Sequence, residues 1–357
     1  SSRAGMNLFT PFRLRGIELK NRIAVSPMCE YSAKDGHPTN WHLVHLGSRA
    51  VGGGALVMTE ATGVSAVGRI SPADTGLYLD SHVEAWRPIV EFIREQGAVP
   101  GVQLAHAGRK GSTSAPWLGG TVIPLSEGGW EPVAPSAVPF NTGYAVPKAI
   151  TVDEIDQVVA DFVAAARRAL RTGFQVVEIH AAHGYLLHEF YSPLSNQRAD
   201  EYGGSFENRI RALLRVTKAV RELWPENQPV FVRISATDWK ENGWDLEQSV
   251  ELCRRLKAAG VDLVDVSSGG VVPGVRIPVG PGYQVEFAAT IRRETGIATG
   301  AVGMISEPVQ AETIVATGQA DIVLLAMELL RDPYWPRRAA QVLGAKIKPP
   351  VQYERAW

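Results

Sequence analysis

The sequence is poor in several features that would narrow its function at once. It carries two cysteines, Cys29 and Cys253, in 357 residues. Two thiols so far apart argue against a disulfide framework, point to a reducing compartment, and cannot hold an iron–sulfur cluster that needs four thiolates. Neither sign of charge prevails: 36 Lys and Arg stand against 37 Asp and Glu, a formal net charge of −1. Nothing therefore attracts the chain electrostatically to nucleic acid or an acidic membrane surface. No apolar run reaches the length of a membrane span. The first residues lack the basic-then-apolar pattern of a signal peptide. SSRAG before Met6 reads as an expression scar, and the expected location is the cytoplasm. No GxGxxG lies between a strand and a helix, and VGGGA (51–55) precedes its strand instead of following it.

What is present is a repeated unit: a short apolar run, a loop, then an amphipathic helix. The runs are 23–27, 55–60, 99–105, 176–180, 230–235, 263–268, 297–303 and 322–326. Most are continuously apolar, as parallel strands buried on both faces must be. Between them the clearest helix is 151–171, with Ile155, Val158, Val159, Phe162, Val163, Ala166 and Leu170 on one face. Thr151 and Glu154 make a capping box at its start and Gly173 stops it. Asp245 with Gln248, and Ser306-Glu307-Pro308, are further helix starts. Eight strands alternating with helices predict an α/β fold, a single (β/α)8 TIM barrel over 6–357. The irregular segment 106–150, rich in Pro, Gly and Trp, follows the third strand and is expected as a lid.

In such a barrel the chemistry sits where strands end. Those positions hold Cys29 and Tyr31, Glu60 and Ala61, Gln103 and His106, His180, His183 and Tyr185, Arg233, Ser267 and Ser268, and 300–303. Donors outnumber carboxylates, which suits an electron-rich ligand better than a metal cation. Arg233 interrupts an apolar strand and needs either a structural carboxylate, with Glu178 the candidate, or an electron-rich ligand. His180-x-x-His183 lacks the acidic partner of HExxH and straddles a strand end, so no metal site is expected. Two imidazole N–H groups so placed can grip and polarise one oxygen, and Tyr185 can deliver a proton nearby. His188 reads as structural. Cys29 is either a small buried hydrophobe or a functional residue of the mouth, and Cys253 is a helix core residue.

Longer motifs resemble the old yellow enzyme family of flavin-dependent ene-reductases, in its thermophilic-like branch. They are LKNRIAVSPMCEYSA, TEATGVSAVGRIS, GVQLAHAGRKGS, HAAHGYLLHEF with RADEYGGSFENR, FVRISATDW, TGAVGMI and the terminal QYERAW. The resemblance implies FMN across the barrel mouth and NADPH as electron donor, with nicotinamide and acceptor alternating in a ping-pong cycle. It implies reduction of activated C=C bonds of α,β-unsaturated carbonyl or nitro compounds by hydride from flavin N5. Residue by residue, Ser26, Pro27, Cys29, Ala61, Gln103 and Arg233 match flavin-lining positions, with Cys29 tuning its potential. His180 and His183 match the acceptor-oxygen pair, Tyr185 the proton donor, and Tyr31 and Lys110 substrate contacts. Arg355 matches an arginine that crosses into a neighbouring subunit, which implies a homodimer or dimer of dimers with the tail 344–357 at the interface. One position departs. The family's eighth strand ends in Gly-Arg, the arginine gripping the FMN phosphate, and here it ends in Ala326-Met327. Backbone N–H groups around Val302, Gly303, Ala326 and Met327 would then hold the phosphate, with weakened FMN affinity. The competing expectation is a flavin-poor barrel protein whose catalysis is weakened or lost through Met327.

Overall fold

The computed structural model describes residues 6–357, so the SSRAG stretch lies outside the described residues. Eight parallel strands close into one barrel: β1 (Ile23–Val25), β2 (Leu56–Gly63), β3 (Val99–Ala105), β4 (Val176–Ala181), β5 (Val230–Ser235), β6 (Leu263–Ser267), β7 (Ala298–Val302) and β8 (Ile322–Leu325). Each pairs with its sequence neighbours, and β8 closes on β1. The longer helices that follow the strands are α1 (Asn40–Val51), α2 (Asp80–Glu95), α3 (Val152–Thr172), α4 (Arg211–Leu223), α5 (Leu246–Ala258), α6 (Val285–Thr295), α7 (Pro308–Ala316) and α8 (Trp335–Leu343). The expected (β/α)8 barrel is what the chain forms.

Two apolar layers hold it. Leu56, Met58, Val99, Val176, Phe231, Leu263, Val302, Ile322 and Leu324 fill the barrel interior. An N-terminal hairpin (Phe12–Leu14 with Ile17–Leu19) packs against that interior and closes its lower end. The larger layer lies between strands and helices and includes Trp86, Phe162, Phe174 and Val216. Burying each such side chain contributes about 1.5–3 kcal/mol. With the lower half filled by hydrocarbon, the polar strand residues are left at the upper end.

Caps fall where the side chains dictate. Thr151 accepts from the Glu154 amide while the Glu154 side chain accepts from the Thr151 amide, and Gly173 ends α3 at φ 106°. Asp245 caps α5 through the Gln248 amide. At α7 the cap comes from Gln310, whose Oε1 accepts from the amides of Ser306 and Glu307 while Pro308 begins the helix. Within 106–150 the chain makes three single-turn helices and one two-residue strand pair, Val133–Ala134 with Lys148–Ala149. Among the described residues no helix is long and apolar enough to cross a membrane.

Candidate active site

The strand register brings a polar layer to the barrel mouth. Glu178 pairs in register with Gln103, and Arg233 with both His180 and Asp265. Gln103 Nε2 donates to Glu178 Oε2 at 2.9 Å. Arg233 Nε donates to Asp265 Oδ2 at 2.6 Å and Nη2 to Ser26 Oγ at 2.8 Å, whereas Glu178 is 3.8 Å away. Arg233 therefore pairs with the expected Glu178 at the longer distance and, more closely, with Asp265, which the sequence reading did not name. The guanidinium thus has a carboxylate partner, and Nη1 keeps no partner among the described residues. Burial opposes the charge on Arg233, but Asp265 and Glu178 together outweigh it and raise the pKa above its ordinary value. Burial first, then the Asp265 charge, push the Glu178 carboxyl well above the usual carboxylate range.

His180 is buried, and its Nδ1 accepts from the Ala182 amide at 3.3 Å. The ring proton is thereby fixed on Nε2, which has no partner among the described residues. His183 sits at φ 59°, a left-handed conformation that turns its ring against β6, where Nε2 lies 2.6 Å from Ser267 Oγ. If the Ser267 hydroxyl donates there, Nδ1 carries the proton. The two rings stand 5.5 Å apart at 87°, and the Tyr185 ring lies 5.0 Å from His180. Gly184 makes this turn possible: at φ 77° a Cβ would lie 2.1 Å from the Gly270 carbonyl. Burial holds both imidazoles well below their ordinary pKa, with His183 and then Arg233 adding to it at His180 and Arg233 and then Lys110 at His183, so both are neutral. Tyr185 packs with Cys29 against Ala61, Ile70, Ala105 and Ala107. Burial, then Cys29 and Tyr31, push its phenol well above the usual value.

The profile of the NADH:flavin oxidoreductase / NADH oxidase family matches residues 7–345. The chain belongs to that family. It is 52% identical over 352 residues to the NADPH dehydrogenase of Geobacillus thermodenitrificans strain NG80-2, covering 98% of each. Its fold matches 2-naphthoyl-CoA reductase with a TM-score of 0.85 at 27% identity, over 95% of this chain and about half (52%) of that one. It also matches the old yellow enzyme homologue from Zymomonas mobilis, with a TM-score of 0.79 at 29% identity, over 97% and 95% of the two chains. This flavin oxidoreductase is an enzyme of the old yellow enzyme type.

The remaining sequence candidates fall into three groups. Cys29 is half-buried beside Ala61, and burial, then Asp74 and Glu60, raise its thiol well above the ordinary value, so it stays protonated. Tyr31 lies near it at φ 51°, edge-on to Trp117 at 5.6 Å. Lys110 reaches the site but spends two donors on backbone, to the carbonyls of His183 (2.8 Å) and Gly270 (2.9 Å). At the ends of β7 and β8, Val302 is buried, Gly303 turns at φ 111°, and Met327 is 63% exposed. Pro27 is partly buried just after β1. Arg355 is exposed on a tail folded along α8, where Arg337 Nη2 donates to the Ala356 carbonyl and Trp357 meets Tyr334. The structure does not bring Arg355 to the site residues of its own chain.

His188, read as structural, accepts from the Gly184 amide and lies 2.8 Å from Asp238, fully buried. Among the described residues no three His, Cys, Asp or Glu converge as a metal-ligand set. Asp265 and Asp74 escaped the sequence reading. An acidic residue inside LVDVSS is the same signal that singled out Arg233 in VFVRIS. Asp74 gave none, lying in a loop and reaching the site only through its bonds to Ile70 and Ser71. A cavity of about 590 Å³ lies elsewhere, lined by Lys20, Asn21, Gln96, Lys346 and Lys348, and no mouth residue lines it.

Proposed function

We propose that the protein is an FMN-dependent NAD(P)H:acceptor oxidoreductase that reduces activated C=C bonds of α,β-unsaturated carbonyl or nitro compounds. The observation that carries the reading is the pair of neutral, near-perpendicular imidazoles, His180 and His183, beside a protonated phenol. The residues fit a flavin mononucleotide. Arg233 Nη1 is a spare cationic donor at the mouth, Ser26 Oγ accepts from the neighbouring Nη2, Gln103 pairs in register with Ala61, Cys29 packs against Ala61, and Pro27 follows Ser26. The backbone N–H groups of Gly303, Met304, Ala326 and Met327 have no partner among the described residues, a donor set suited to a phosphate. These free donors also weigh against the flavin-poor alternative.

When bound, FMN supplies a two-electron store that NADPH fills and an activated alkene drains. His180 Nε2–H and the His183 N–H donate to the acceptor's carbonyl or nitro oxygen and withdraw charge from its β-carbon. Donors of this kind contribute about 2.7–4 kcal/mol each in acyl-transfer sites. Tyr185 Oη holds a proton and releases it to the α-carbon. Ser267 orients His183, and Tyr31 and Lys110 border the acceptor. NADPH as donor is supported by the name of the Geobacillus relative. An exposed Arg355 on the tail agrees with a homodimer or dimer of dimers in which it reaches the neighbouring site, and a cytoplasmic location agrees with the two free thiols.

The test is anaerobic. NADPH should bleach the bound flavin, and 2-cyclohexenone or maleimide should restore its absorbance. Bleaching with no recovery on any activated alkene contradicts the proposal.

A further inference from the structure

Two basic residues tie the lid to the barrel mouth without meeting an ion-pair partner there. Arg109 and Lys110 end a single helical turn, Gly108–Lys110, directly after β3. Arg109 is buried, yet its guanidinium hydrogen-bonds only to carbonyls, with Cζ 5.7 Å from the centre of the Phe140 ring. Nη1 donates to Val138 (3.1 Å) and Pro139 (3.3 Å) of the lid, and Nη2 to Val271 (2.5 Å) of the loop after β6. Nε is buried with no partner among the described residues. The Arg109 backbone N–H donates to Glu189 at 3.0 Å, and that carboxylate seats so closely on Gly108 that a Cβ there would lie 2.5 Å from it. Lys110 Nζ lies 4.5 Å from the centre of the Phe140 ring and 5.2 Å from that of Tyr185. Phe140 follows the two carbonyls that Arg109 grips, and it meets Tyr144 at 5.1 Å.

Burying a guanidinium is costly, and an incompletely satisfied one more so. A surface loop could be tied down by a neutral donor. Here the charge spans two loops on opposite sides of the mouth, and the residue next to the grip puts an aromatic ring beside the ammonium that also faces Tyr185. Moving the Val138–Pro139 segment therefore moves Phe140 relative to Tyr185.

We propose that Arg109 is a positioning residue that latches the lid to the loop after β6, and that Phe140, held by this latch, is the specificity-determining residue limiting the size of the acceptor. The proposal rests on the acceptor reading of His180, His183 and Tyr185, and two measurements separate the fate of one from the other. In hydrogen–deuterium exchange on the FMN-loaded protein, Arg109→Gln should speed exchange about tenfold in 133–149 and 269–272 and leave the strand amides unchanged. Unchanged lid exchange in that variant overturns the latch whatever the acceptor is. In steady-state kinetics, Phe140→Ala should raise the kcat/KM ratio of a 3-aryl enone over 2-cyclohexenone by about tenfold. Arg109→Gln should move the ratio the same way and Arg109→Lys should restore part of it. Should Arg109→Gln fail to fold, the Phe140→Ala ratio still decides. Equal losses on both enones, in either variant, overturn the specificity role. A wild-type protein that reduces neither enone, with lid exchange still responding to Arg109→Gln, contradicts the acceptor reading and removes Phe140's role while the latch stands.

Discussion

Tyr185 keeps its proton because burial, and then Cys29 and Tyr31, disfavour the phenolate. A group so placed gives up a proton only to something strongly basic, such as a carbon gaining negative charge beside an activated carbonyl. On the proposed reading, Tyr185→Phe should lower enone turnover about a hundredfold while flavin and acceptor binding persist, as steady-state kinetics and difference spectra would report. Turnover at the wild-type rate would mean that the proton comes from elsewhere. At this scale the sequence was informative about residue types and silent about their states. It placed His180, His183 and Tyr185 together at a strand end, but the Nδ1 contact of His180 with Ala182 and the Ser267 hydroxyl on His183 depend on three-dimensional neighbours. For Arg233 it pointed to Glu178, which lies 3.8 Å away, and missed the closer Asp265, because adjacency across β5 and β6 is set by barrel register.

Among the elements, the eight barrel strands were legible to within one to three residues, because a strand buried on both faces must be written in apolar residues throughout. The lid pair Val133–Ala134 with Lys148–Ala149 was not, since two-residue strands leave no periodicity. The short helix Leu186–Tyr191 is anchored by a buried group that the histidine cluster only hinted at. Asp238 accepts from Ser192 Oγ (2.6 Å) and the Trp244 amide (2.8 Å) and lies 2.8 Å from His188 Nε2. Asp238→Ala strands three buried donors at once and should cost about 3–5 kcal/mol in urea unfolding. At the end of β8, free backbone donors stand beside an exposed Met327. Met327→Arg should tighten FMN by about 1–3 kcal/mol, read as quenching of flavin fluorescence on titration. Unchanged affinity would mean that the backbone donors already suffice.

Over the whole molecule, the buried histidines set the response to acid. Burial lowers His45, His82 and His106 to about 4 and holds His180 and His183 well below the ordinary value. Folded values below the unfolded value of about 6.5 mean stability that is fully present above that pH and lost as pH falls through the folded values. Buried carboxyls act the other way: Asp74 and Glu189 are raised by burial to about 7 and 8, and Glu178 is raised well above the usual carboxylate range. The histidine contribution is lost between about pH 6.5 and 4, and the raised carboxyls offset part of it. Stability should fall across that range, measurable by thermal melts in a pH series. The same desolvation that creates this acid sensitivity keeps the two mouth imidazoles neutral, and the proposed oxygen clamp depends on that. Its most direct test is His180→Ala in anaerobic stopped flow, with flavin reduction by NADPH and reoxidation by 2-cyclohexenone timed separately. The account predicts reoxidation slowed about 10²–10³-fold with reduction affected far less. Equal slowing of both halves would contradict it.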